Sequence, residues 1–142
     1  PFNTPTYIMK VKGAPEAQVS LTAYGYMAEL ARQALIRLAF EDEIFVELVI
    51  PTRLAPFDIT VLAASIQRTG RLVTVEEGNL SGGWGAEVVA QAAEKLNGEL
   101  RASTRVAARD LPVAAAPSLE SEILPGVEDI VQAVRKVVGR NE

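Results

Sequence analysis

The stretch Thr69–Gln91, TGRLVTVEEGNLSGGWGAEVVAQ, decides the fold. Arg71 to Val75 is a short β-rich run. A glycine-rich loop follows, and then Val88, Val89, Ala92, Ala93 and Leu96 recur at helical spacing up to a stop at Asn97-Gly98. A strand, a glycine loop and an amphipathic helix in that order make one α/β unit.

The same alternation extends in both directions. Val19 to Gly25 reads as a strand closed by glycine, and Met27, Leu30, Ala31, Ala34, Leu35 and Leu38 form one face of the helix after it. Ile44 to Ile50 is an almost continuous apolar run, as expected of a strand covered on both faces and stopped by Pro51. Asp58 is placed to cap a helix carrying Ile59, Leu62, Ala63 and Ile66, which ends at Gly70. Ser103 to Ala108 is a fourth strand. Arg109 to Pro125 is a long surface crossing with three prolines, and Val127, Ile130, Val131, Val134 and Val138 line a last helix. Strands that alternate with helices run parallel, with right-handed crossovers, in a three-layer α/β/α sandwich. Residues 1–18 hold Pro1, Pro5 and Pro15 and read as an arm or linker. A short strand over Thr6 to Val11 is compatible with that segment, and residues 19–142 form the domain.

Composition narrows the chemistry. A chain of 142 residues falls in the range of roughly 100–200 residues for one domain. It contains no His and no Cys. No imidazole is present to serve a nucleophile, and no thiol to form a disulfide, an iron–sulfur centre or a redox pair. A tetrahedral zinc site would need carboxylates alone. Catalysis by this chain would have to use Asp, Glu, Lys, Tyr, Ser or a cofactor. The net charge of −4 leaves no basic footprint for nucleic acid, and Arg135, Lys136 and Arg140 suit the C-terminal end of a helix dipole. No apolar run reaches the roughly 18 residues of a membrane span, so a soluble intracellular chain is expected. Pro1 in place of Met is compatible with removal of an initiator methionine and with a segment cut from a longer chain.

In open parallel sheets, ligands bind beyond the carboxyl ends of the strands. Those ends are Gly25-Tyr26, Thr52-Arg53, Glu76 to Gly85 and Arg109-Asp110. The third resembles an anion-binding loop, because a helix N-terminus presents free N–H groups. Its spacing does not suit a nucleotide: Trp84-Gly85 stands where a P-loop needs Lys-Ser/Thr, and Gly83 and Gly85 lack the third glycine of a dinucleotide fingerprint. Glu76 and Glu77 would repel phosphate. As neighbours on a strand they point to opposite faces, so the simple reading is one solvated carboxylate and one paired with an Arg or a backbone amide. Trp84 reads either as a cover for the core edge or as an interface anchor. Glu76, Glu77, Trp84 and Arg53 are therefore the candidate interface or anion-facing residues, with no catalytic, cofactor-binding or metal-ligating residue assigned.

Several longer strings carry a resemblance. "LTAYGYMAELARQAL", "LAPFD", "TGRLVTVEEGNLSGGWGAEVVAQ" and "RVAARDLPVAAAPSLESEILPGVEDIVQAVRKVV" resemble the C-terminal domain of the transketolase superfamily, over Val19 to Val138. The likeness is strongest to the beta subunit of the thiamine-diphosphate-dependent 2-oxo acid dehydrogenases, the first component of pyruvate or branched-chain complexes. Its specific part is Leu119-Glu120, Leu124-Pro125 and the helix opening Glu128-Asp129-Ile130. "VTVEEG" with "GGWGAE" is shared more widely, including with deoxyxylulose-phosphate synthases.

The resemblance implies a three-layer domain whose sheet is mostly parallel with one antiparallel edge strand. It also implies that thiamine diphosphate and Mg²⁺ sit between a pyrophosphate-binding and a pyrimidine-binding domain, whose Gly-Asp-Gly motif, downstream Asn, Glu and His have no counterpart in this sequence. The implied partners are the preceding pyrimidine-binding domain, the alpha subunit, a symmetry-mate domain and the acyltransferase core. The implied location is a bacterial cytoplasm or a mitochondrial matrix. Ile50-Pro51-Thr52-Arg53 departs from the Asp-Leu-Arg-Thr usual before the Leu-x-Pro-x-Asp motif, and Pro1 to Gln18 is a poor match to the usual lead-in. The alternatives are a freestanding binding or assembly domain, and the same domain of another superfamily enzyme.

Overall fold

The structure is a computed structural model and describes residues 4–110 and 123–140. Its strands are β1 (Thr6–Met9), β2 (Val19–Ala23), β3 (Val46–Pro51), β4 (Arg71–Asn79) and β5 (Ala102–Ala108). Its helices are α1 (Tyr26–Arg37), α2 (Thr60–Thr69), α3 (Trp84–Leu96) and α4 (Val127–Val137). The strands make one sheet in the order β1-β3-β2-β4-β5. All pairings are parallel except β1 with β3, where Thr6 faces Pro51 and Met9 faces Leu48.

The antiparallel edge strand implied by the resemblance therefore comes from the segment read as an arm. Thr6–Met9 belongs to the sheet, and only the turn after it, with Ala14 N–H donating to the Val11 carbonyl and Gly13 at φ 76°, behaves as a connection. The short strand expected over Thr6 to Val11 is thus present over Thr6–Met9, with Tyr7, Ile8 and Met9 exposed at the sheet edge, so nothing local assigns it to the sheet. β3 ends at Pro51, as expected, and begins at Val46, two residues after the expected Ile44. β4 runs on through Glu76 to Asn79, past the expected end at Val75.

Alternation along β2 builds the layers. Val19, Leu21 and Ala23 pack with α1 and α4 in one cluster, joined by Leu48 and Val73. Ser20 and Thr22 face the other way, towards α2. There the Ser20 hydroxyl lies 2.6 Å from that of Ser65 and 2.8 Å from that of Thr69, and Thr22 donates to the Val49 carbonyl. Buried hydroxyls so partnered cost little. The second cluster, with Val49, Leu62, Ile66, Leu72, Val88 and Ala92, seats α2 and α3 on that face.

The C-terminal end of α2 follows its sequence signal, whereas at its start Ile59 takes the cap position expected of Asp58, and Asp58 stands one residue before it. Asp58 Oδ1 accepts from the Thr60 N–H at 2.9 Å, and Gly70 closes α2 in the left-handed region at φ 68°. Beyond α1 the chain makes a π-helical turn, Leu38–Asp42, which the periodicity does not announce. Arg135 pairs with Asp42 across this turn, and Arg140 donates to the Asp42 carbonyl. Two of the basic residues read as dipole partners thus hold a tertiary contact. Most of the expected crossing from Arg109 to Pro125 lies outside the described residues. Among the described residues, no helix is long and apolar enough to cross a membrane.

Candidate functional site

β2 is followed by α1 on one face of the sheet, and β4, its neighbour, leads into α3 on the other. Where adjacent strands diverge in this way, a crevice opens beyond their carboxyl ends, and open α/β sheets bind ligands there. Tyr24 and Gly25 stand at the end of β2, and Glu76 to Gly85 at the end of β4.

The chain fills this crevice itself. Glu76 is only 3% exposed, and its carboxylate accepts hydrogen bonds from the backbone N–H of Trp84, at 3.0 Å, and from that of Gly85. These are N–H groups of the first turn of α3, which no helical carbonyl can satisfy and which carry the positive end of the dipole. Glycine makes room for the contact. A Cβ on Gly78 would lie 2.5 Å from Glu76 Oε1; one on Gly83 would strike the Asn79 carbonyl oxygen and stand 2.7 Å from Oε1. A Cβ on Gly85 would lie 2.8 Å from Oε2 and 2.5 Å from Thr74 Oγ1. The loop's glycines thus house a carboxylate belonging to the chain.

Trp84 closes the crevice from the side. Its ring meets Tyr24 edge-on at 5.0 Å between centroids and Phe57 at 5.3 Å, so one aromatic cluster ties the ends of β2 and β4 to the loop before α2. Burial raises the Tyr24 phenol above its ordinary 10.0, and the negative charges of Glu76 and Glu77 add to the rise. Thr74 Oγ1 and Trp84 Nε1 are buried and make no hydrogen bond among the described residues. The loop is also fastened to β5: Ser81 donates to Asp110 from its N–H at 3.0 Å and from its hydroxyl at 2.5 Å, and Arg105 donates to the Leu80 carbonyl at 2.6 Å. The Ser81 hydrogen bonds hold the Asp110 carboxyl below its usual range.

Of the residues singled out from sequence, Glu76 and Trp84 come together at the start of α3. Glu77 is exposed. Arg53 sits on the exposed loop after β3, beside Thr4, Pro51 and Asp58, and makes no ion pair among the described residues. Sequence reasoning missed Tyr24, Phe57 and Thr74. The position of Tyr24 just before the glycine that ends β2 was the available signal.

Sheet order and self-filled crevice define an open, doubly wound α/β domain of ligand-binding topology. The model of the family "Transketolase, C-terminal domain" matches residues 9–130, and the chain belongs to that family. It is 35% identical over 124 residues to the pyruvate dehydrogenase E1 component subunit beta, mitochondrial, of Pisum sativum, covering 87% of this chain and 34% of that protein. It is 34% identical over 121 residues to the acetoin:2,6-dichlorophenolindophenol oxidoreductase subunit beta of Cupriavidus necator, covering 84% of this chain and 36% of the relative. Among solved structures, a split-gene transketolase, described as an inactive beta4 tetramer, superposes with a TM-score of 0.79 at 26% identity, covering 97% of this chain and 43% of that one. The chain thus spans about a third of the length of these beta-subunit relatives.

Proposed function

We propose that the chain is the C-terminal assembly domain of a 2-oxo acid dehydrogenase beta subunit. The whole enzyme decarboxylates a 2-oxo acid oxidatively, with thiamine diphosphate and Mg²⁺, and passes the acyl group to a lipoyl arm. In this reading the domain packs against the pyrimidine-binding domain of its own chain, an alpha subunit, its symmetry mate and the acyltransferase core.

The observation that carries the reading is the Glu76 carboxylate on the first N–H groups of α3. The residues of the crevice do not fit thiamine diphosphate. The donors that would cradle its phosphates are taken, and Glu77 adds a second negative charge at the mouth. A crevice closed by the chain's own side chains suits a domain that orients others.

The size and company of the native polypeptide test the proposal. Antibody against this domain should recover, from source cells, a beta subunit of the relatives' length together with an alpha subunit. A free polypeptide of 15.2 kDa without an alpha subunit would overturn it.

A further inference from the structure

We propose that the amino end of α3 is a tetrahedral-oxyanion site that the chain occupies with its own Glu76, and that Glu76 is the residue that keeps phosphate and sulfate out of it. The Trp84 N–H donates to Glu76 Oε1 and the Gly85 N–H to Glu76 Oε2, so the two amides face the two oxygens of one anionic group. A second and independent observation marks the Oε2 side of the same cradle. Thr74 is fully buried, its hydroxyl has no hydrogen-bond partner, and it stands 2.5 Å from where a Gly85 Cβ would be, while Glu76 Oε2 stands 2.8 Å from that position.

Thr74 and Glu76 project from the same face of β4, so hydroxyl and carboxylate approach Gly85 from one side. The planar carboxylate satisfies two amides and leaves the hydroxyl without an acceptor. A tetrahedral anion has an oxygen to spare for it. Shortening Glu76 to Ala removes four heavy atoms, close to the size of an inorganic phosphate or sulfate ion, and removes one negative charge that a bound anion restores. Gly78 and Gly83, having no Cβ, leave room on the loop side only for the group that now lies there. The inference concerns this chain's own cradle and holds whether or not the domain serves a dehydrogenase.

The test is a titration of the whole chain with inorganic phosphate, sulfate and acetate at constant ionic strength, read by Trp84 fluorescence and by the Trp84 and Gly85 amide signals. In Glu76→Ala, phosphate and sulfate should bind saturably and more tightly than acetate, and the unaltered chain should show no saturable response. Adding Thr74→Val should weaken phosphate binding roughly fivefold, the loss of one hydrogen bond, with little effect on acetate. If Glu76→Ala is unfolded in chloride, the same result is recovery of the folded signal by phosphate and not by chloride. A folded Glu76→Ala chain without saturable binding, an unfolded one that phosphate does not recover, or a phosphate affinity indifferent to Thr74→Val would overturn the proposal.

Discussion

Arg135 of α4 and Asp42 of the π-helical turn meet in a two-pronged ion pair, Nε to Oδ2 at 3.0 Å and Nη2 to Oδ1 at 3.2 Å. Both side chains are less than one-fifth exposed, at 18% and 19%. The pair binds the last helix to the end of the first, and the Asp42 carbonyl also accepts from Arg140. Such a fork in a half-dry setting is stronger than a surface pair.

Arg135→Met and Asp42→Asn should therefore each cost about 1–2 kcal/mol, since each leaves a charge or a polar group short of its partner. Urea denaturation of both variants and of the double variant measures this. The double variant should be little worse than the poorer single one. Three variants as stable as the parent would show that the contact contributes nothing.

Gly85→Ala should destabilise the chain, contrary to the usual gain. Ala is favoured over Gly within a helix by about 1 kcal/mol. Here the new methyl would meet Thr74 Oγ1 at 2.5 Å and Glu76 Oε2 at 2.8 Å, both on a central strand. Overpacking of that kind costs roughly 1–3 kcal/mol. A urea midpoint unchanged or raised in the alanine variant would contradict the fit described for the Glu76 cradle.

Acid should weaken the surface network in a defined window. The Arg32 hydrogen bond, with help from Gln33, holds the Glu29 carboxyl at about 2, below its ordinary 4.5. Asp58, Asp110 and Glu128 are lowered too, chiefly by Thr60, Ser81 and Gln132. A carboxyl whose folded value is depressed stabilises the fold above its unfolded value and loses that contribution as pH falls through the folded one. The Glu29 contribution is thus complete above about 4.5 and fades towards about 2. Carboxylate NMR titration should find its midpoint near the lower figure, rising with added salt. A midpoint at the ordinary value would show that the Arg32 pair does not persist in solution.

Much of this fold is legible along the chain because burial on two faces imposes a pattern. Val19–Ala23 and Leu72–Val75 must be apolar or hydroxyl-bearing throughout, and Gly70 and Asn97 mark helix ends by conformations few residues adopt. A short strand over Thr6 to Val11 is legible, but its place in the sheet is not, because its partner β3 lies far along the chain. The π-helical turn escapes because Asp42 is held by Arg135, a contact no local window contains.

The site was legible in half. A carboxylate before a glycine loop and a helix pointed to Glu76, and its pairing with a backbone amide was the simpler of the two readings. That the amides belong to α3, with Trp84 wedged between Tyr24 and Phe57, depends on three loops meeting at one end of the sheet. Thr74 was invisible because Thr within a β-rich run looks like any other strand residue.

The central claim is that this domain does not itself hold the cofactor of the enzyme it is proposed to serve. Calorimetric titration of the chain with thiamine diphosphate in the presence of Mg²⁺ tests it directly. The account predicts no saturable heat beyond that of a control protein. Saturable binding in the micromolar range would contradict it, and would place cofactor chemistry in a crevice that Glu76 and Trp84 fill.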